Sequence, residues 1–199
     1  MTELIPEILL VRHARTQSNS SGTFMGQRDL PASDEGLRAA RDLLADKAEA
    51  WHVTHLYSSP LLRARQTAEL LTTALPIRLD DRLLERNLGV WEGRTKAEVR
   101  ESDPQAVSEF GWIDARHTPI RGESLDEMCD RIGSFLDEIQ RLEPGSVPMV
   151  VTHNGWIRAA LSVCGLVDAV AIYAEATPHA QVIRLSPRMC HQSRSARLE

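Results

Sequence analysis

Cysteine is scarce in this sequence: Cys129, Cys164 and Cys190 are the only three in 199 residues, widely spaced and without a Cys-x-x-Cys pair. That excludes a disulfide scaffold and a zinc ribbon, and it reads as reduced thiols in a cytoplasmic protein. Long apolar runs are missing too; none approaches the roughly 20 residues that cross a bilayer, so no membrane association is expected. Glu3 and Glu7 stand where a signal peptide would carry Lys or Arg, and the apolar segment beside them is too short for one. The seven His form no His-x-His, no His-Glu-x-x-His and no Cys/His zinc spacing, so no metal and no cofactor is expected. A net charge of −5 leaves no broad cationic surface for nucleic acid, while a local basic pocket stays compatible with it. Repeats, low-complexity blocks and dividing linkers are absent. Residues 1–199 therefore read as one domain, with a polar tail at 188–199 expected to fray.

What is present begins at Ile8-Leu9-Leu10-Val11, an apolar run that meets Arg12-His13 and turns polar at once. Such a run fits a strand buried on both faces, with Arg12 and His13 at its C-terminal end. Residues 20–31, rich in Gly, Ser and Asp, read as a surface loop. Ser33 predicts an N-cap for a helix to about Ala50, striped by Leu37, Ala40, Leu44 and Ala48. Val53 to Ser58 reads as a short strand, after which Ser59 and Pro60 suit the cap and first turn of a helix carrying Arg63. Pro76 to Asp80 predicts another strand. In the irregular stretch 81–123, Trp91, Phe110 and Trp112 suit a side wall or plain core packing. Ser124 and Glu127 form a capping box for a helix to Leu142. Pro148 to Thr152 is a second buried-type strand, running into His153-Asn154-Gly155 and a helix to about Cys164; Val182 to Leu185 closes the sheet.

Strands alternating with helices predict an α/β domain with a mostly parallel sheet. Its direction brings His13, His153 and the helix of Arg63 to one edge, where open α/β sheets bind ligands. Three uses suit that constellation. A metal site would suffer from the flanking Arg charges. The groups can simply cap the sheet edge. Or they can bind phosphate, because Arg forks match its oxygens and a neutral imidazole is a competent nucleophile; an acid must then protonate the leaving oxygen.

Leu10-Val11-Arg12-His13-Ala14-Arg15-Thr16, with Asn19, resembles the signature of the histidine phosphatase superfamily in its phosphoglycerate-mutase-like branch 1. Phe24-Met25-Gly26, Ser58-Ser59-Pro60-Leu61-Leu62-Arg63, Leu84-Glu85-Arg86-Asn87-Leu88-Gly89, Gly122-Glu123-Ser124 and Val151-Thr152-His153-Asn154-Gly155 resemble its later motifs, in order. The resemblance spans residues 8 to about 185 and implies a three-layer sandwich with helices on both faces of the sheet. It implies that His13 attacks phosphorus and is transiently phosphorylated, while Arg12, Arg63 and His153 hold the equatorial oxygens. Asn19, Gly26 and Asn154 would join the phosphate pocket, and Glu85 would protonate the leaving oxygen, with an activity optimum on the acid side of neutral. Arg15 and Arg65 read as solvated, Glu92 as a backbone acceptor, and His52, His55, His117, His179 and His191 as surface residues.

Two positions depart from the family's pattern. Ala14 replaces a Gly, at about 1 kcal/mol if the backbone there is left-handed. Met25 replaces a Gln, which points to a phosphate grip resting more on the Gly26 N–H. The mutases carry an insertion with paired Arg; between Trp91 and Ser124 this chain is short and has no Arg-Arg. Leu88 takes the place of a Tyr, while Lys96 keeps a mutase-like position. The expectation is a metal-independent phosphatase acting on a small phosphorylated metabolite, with a phosphoglycerate mutase or a non-catalytic phospho-ligand binder as alternatives. A homodimer is compatible with these features and not specified by them.

Overall fold

The computed structural model describes residues 7–71, 74–106, 113–169 and 172–186. Phe110, Trp112, Cys190 and the tail at 188–199 lie outside them. A five-stranded sheet runs in the order β3-β2-β4-β1-β5, with β1 (Ile8–Arg12), β2 (His55–Ser58), β3 (Ile77–Leu79), β4 (Pro148–Thr152) and β5 (Val182–Leu185). All pairings are parallel except β5, which lies antiparallel along β1 at the edge.

β1 and β4 are buried at every residue, the condition their unbroken apolar runs predict. Period-2 alternation divides their side chains between two cores. Ile8, Leu10 and Val150 pack with Phe135, Trp156 and Ile157 of α6 (Leu125–Ile139) and α7 (Asn154–Val163). Leu9, Val11, Met149 and Val151 pack with Ala40, Leu44, Ala64 and Ala68 of α2 (Asp34–Leu44) and α4 (Leu62–Ala68) on the other face. The result is three layers. At such fully buried positions, truncation of Leu10 to Ala costs roughly 2–5 kcal/mol. A third, smaller cluster of Leu88, Trp91, Val99, Ala106 and Ile113 sits with Phe24 and Tyr173 and includes α5 (Lys96–Ser102).

Local signals hold for α6, whose Ser124–Glu127 capping box is formed, and for α2, capped by the Ser33 side chain. Elsewhere the chain differs from expectation. The helix predicted to Ala50 breaks at Ala45–Asp46 and resumes as α3 (Lys47–Ala50); Leu44 and Ala48 stay buried, so the apolar stripe outlasts the break. The predicted loop opens with a short helix, α1 (Gln17–Ser21), because Thr16 and Asn19 cap each other. Ser59 does not supply a side-chain cap for α4; Leu61 is its N-cap residue, and the Asp29 carboxylate accepts from Leu62 N. Cys129 is a reduced thiol.

Candidate active site

Parallel order places the ends of β1, β2 and β4 side by side. His13 continues the β1 ladder, its N–H donating to Thr152 O at 2.9 Å. Its ring Nδ1 lies 2.7 Å from Ala14 O. A carbonyl can only accept, so Nδ1 carries the hydrogen and Nε2 keeps a lone pair. Ala14 is not among the residues with positive φ; its N–H donates to Thr67 Oγ1 at 2.8 Å, so the anticipated strain is absent. The His153 ring sits 5.2 Å from that of His13, centroid to centroid. His153 Nε2 bonds Ser59 Oγ at 2.8 Å, and its Nδ1 is buried without a partner.

The two arginines arrive from different elements. Arg12, at the end of β1, donates from one terminal nitrogen to Thr177 O at 2.6 Å. Arg63, in the first turn of α4 and fully buried, donates to Arg28 O at 2.7 Å and Gly26 O at 2.8 Å. The Nε of each is buried and unpartnered. Among the described residues five buried side-chain nitrogens lack a partner; three belong to Arg12, Arg63 and His153, and the others are on Arg65 and Trp91. A buried donor left unpaired costs about 1–3 kcal/mol, so such a group marks a place for an acceptor.

Glu85 faces these cations. Its carboxylate accepts from Arg86 N at 2.9 Å and Gly155 N at 3.0 Å. A Cβ at Gly155 would meet a Glu85 carboxylate oxygen, so any larger residue there has to displace that carboxylate. Gly26 has φ +50°, and a Cβ there would overlap the Glu92 carboxylate, which itself accepts from Gln27 N and Leu88 N. Gly26 contributes its carbonyl to Arg63. Asn19 Oδ1 is held by Thr16, leaving the amide NH2 as the end that can donate to an anion. Asn154 Oδ1 accepts from Thr177 N at 2.6 Å. Met25 Sδ receives the Thr16 hydroxyl at 3.1 Å.

Burial sets the charges. Desolvation, then Arg63 and Arg12, hold His13 well below the ordinary histidine range, against the opposing bond to Ala14 O. His153 is held low by desolvation, Arg63 and His13. Desolvation draws Arg12 down to about 10, with Glu85 opposing, and lowers Arg63 likewise. Both guanidiniums therefore stay cationic near neutrality while both imidazoles stay neutral. Among the described residues no three His, Cys, Asp or Glu side chains gather as a metal site.

A cavity of about 390 Å³ opens over this edge. Arg12, Asn19, Met25, Gly26, Arg63, Glu85, Asn154 and Gly155 line it, and Phe24, Leu88, Lys96, Ile113, Tyr173 and Glu175 also contribute wall. His13 and His153 are 2 % and 0 % exposed and do not form wall. Every residue expected at the site is thus brought to this edge. Arg15 is exposed as expected, and Arg65 is half-buried rather than solvated.

Three participants escaped the sequence reading. Ser59, which its sequence suits to a helix cap, instead holds His153. Thr177 joins Arg12 to Asn154 through its backbone. His179, expected at the surface, places Nδ1 2.8 Å from His13 O, with its ring 5.5 Å from the His13 ring. Burial and Arg12 push His179 down to about 4. His117, also expected to lack a partner, bonds Asp103 at 2.9 Å and stacks on Trp91. His55 likewise bonds Thr54 and stacks on Tyr57.

The profile described as "Histidine phosphatase superfamily (branch 1)" matches residues 8–193. The "Probable phosphoglycerate mutase GpmB" of Escherichia coli is 35% identical over 152 residues, which are 74% of this chain and 69% of that one. Among solved structures, Bacillus stearothermophilus YhfR superposes with a TM-score of 0.81 at 27% identity, covering 91% of each chain. A mycobacterial glucosyl-3-phosphoglycerate phosphatase complexed with VO3 superposes at 0.79, with 29% identity over 91% of this chain and 92% of that one.

Proposed function

Because this chain belongs to branch 1 of the histidine phosphatase superfamily, we propose that it is a phosphomonoesterase releasing inorganic phosphate from a small phosphorylated metabolite. The observation that carries this reading is the set of unpartnered buried donors on Arg12, Arg63 and His153, gathered about a His13 ring whose Nδ1 is tied to Ala14 O. With Ser59 Oγ donating to His153 Nε2, the His153 Nδ1 carries a hydrogen, and all three groups donate to phosphoryl oxygens.

His13 Nε2 attacks phosphorus in line, and the bond to the leaving oxygen breaks as Glu85 transfers its proton to that oxygen. The alcohol departs and phosphohistidine remains. Glu85, now a carboxylate, takes a proton from water as the water oxygen attacks phosphorus. The P–N bond breaks, its electron pair returns to Nε2, and phosphate is free. Arg12 and Arg63 balance the equatorial charge throughout, which is the principal demand of phosphoryl transfer.

Hydrolysis is favoured over transfer to a second phosphoglycerate by the rest of the cavity wall. Phe24, Leu88 and Ile113 are apolar there, and Lys96 is exposed. Arg86 also touches the cavity, but its guanidinium is committed to the carbonyls of Glu123, Ala115 and His117. Among the described residues, the single exposed cation Lys96 on this wall suits a leaving group with an apolar part and one acidic or hydroxyl group better than a compact carboxylate. The mutase reading keeps two supports, the name of the Escherichia coli relative and the place of Lys96 in the wall. Phosphate release from a panel of phosphomonoesters, run beside a 3-phosphoglycerate mutase assay primed with bisphosphoglycerate, separates them. Release without isomerisation, abolished by His13→Ala, is expected; isomerisation outpacing release overturns the assignment.

A further inference from the structure

The segment that carries Glu85 is held by its carbonyls. Arg82 O accepts from Trp156 Nε1 at 2.7 Å and from Arg131 at 2.8 Å. Leu83 O accepts from Thr152 Oγ1 at 2.8 Å, and Leu84 O from Arg131 at 2.7 Å. Glu85 O accepts from Gln27 Nε2 at 3.0 Å and from Arg131 at 3.3 Å. No carbonyl from 82 to 85 is left to water, although the segment is irregular and flanks only a short 3-10 turn at Asp81–Leu83.

Arg131, on α6, is the common element. Its remaining donors form a fork with Glu123, Nε to Oε1 at 2.6 Å and a terminal nitrogen to Oε2 at 2.9 Å. All five guanidinium N–H groups are thereby used, three on the Glu85 segment and two on one carboxylate. The pair is largely buried, with side-chain exposures of 18% and 13%. Glu123 Oε2 also accepts from Asn87 N, two residues beyond Glu85. A planar fork of this kind fixes angle as well as distance, which a lysine cannot do.

We infer that Arg131, oriented by Glu123, is a positioning residue for the proton donor: it fixes the backbone of Glu85 so that the carboxylate meets the leaving oxygen. The inference rests on the assignment of Glu85 above. Arg131 makes no hydrogen bond to Arg12, Arg63 or His13; its charge also reaches His153, but its hydrogen bonds all go to the Glu85 segment and Glu123, so it acts first on leaving-group protonation.

That distinction sets the test. An alkyl phosphate needs a proton on its departing oxygen, whereas p-nitrophenolate leaves well without one. General acid catalysis contributes about 10²–10⁴-fold. Glu85→Gln should therefore lose at least about 100-fold in kcat/KM on glycerol 2-phosphate and less than about 10-fold in kcat/KM on p-nitrophenyl phosphate, since kcat/KM reports only the steps through leaving-group departure and not the shared hydrolysis of phosphohistidine. Arg131→Met should show the same asymmetry at about 10–100-fold on the alkyl ester, with inhibition by inorganic phosphate unchanged. Arg131→Lys and Glu123→Gln should repeat the asymmetry in weaker form, and they decide the matter if Arg131→Met does not fold. Equal losses on both esters in these variants, or no loss, overturn the positioning role while leaving Glu85 as donor. If Glu85→Gln itself fails to separate the two esters, the donor assignment falls and this inference with it.

Discussion

Acidification from pH 7 to pH 5 should destabilise the fold steeply, and the two buried imidazoles set the magnitude. His13 and His153 are held well below the ordinary histidine value, principally by desolvation and then by the nearby Arg63. Unfolded, each titrates near ~6.5. As pH falls through that value the unfolded chain takes up protons that the folded chain refuses, so stability falls with it. The contribution is fully present above the unfolded value and is lost below it until the folded groups themselves titrate. For an imidazole that stays neutral in the fold, linkage gives a loss of about 2 kcal/mol between pH 7 and pH 5, and two give about 4 kcal/mol. His179, lowered to about 4, acts in the same direction. Urea unfolding at pH 7, 6 and 5 measures this, and His13→Gln should remove about a third of the slope. A stability that is flat over this range, or a slope that His13→Gln leaves intact, refutes the claim that these rings are buried neutral.

Gly155→Ala should drive its new Cβ into the Glu85 carboxylate and lower kcat on alkyl phosphates by at least about 10-fold, read by phosphate release. His179→Ala should remove the contact at the His13 carbonyl and slow phosphorylation of His13 by roughly 10-fold in a single-turnover assay, with His179→Asn restoring much of it as a shorter donor. EDTA should leave the rate unchanged, because Arg12 and Arg63 supply the charge that a Lewis acid would supply; a loss restored by a divalent cation counts against that reading.

The frame of this site was legible because each part sits beside a strong local signal. Arg12, His13 and His153 follow the two apolar runs that become β1 and β4, and strand direction alone predicted their meeting. The layers follow from the same runs, since alternation divides Leu9 and Val11 from Ile8 and Leu10. What stayed hidden depends on contacts distant in the chain and lacking periodicity. Ser59 lies 94 residues from His153, and His179 lies 166 from His13. Ser59 was masked further by a plausible competing role, since Ser-Ser-Pro is a good helix start. Ala14 looked strained only on the assumption of a left-handed turn, and the Thr67 hydroxyl instead receives its N–H in an ordinary conformation. Arg131 was invisible as a positioning residue because its targets are backbone carbonyls, which carry no residue identity.

The central claim is a covalent phosphohistidine on His13. Mixing the enzyme with substrate labelled in the phosphoryl group, quenching in alkali within one turnover and mapping the label by peptide mass analysis tests it directly. Label is expected on the peptide carrying His13, stable to base, labile to acid and absent in His13→Ala. Rapid phosphate release with no labelled peptide, or label that persists in His13→Ala, would contradict it.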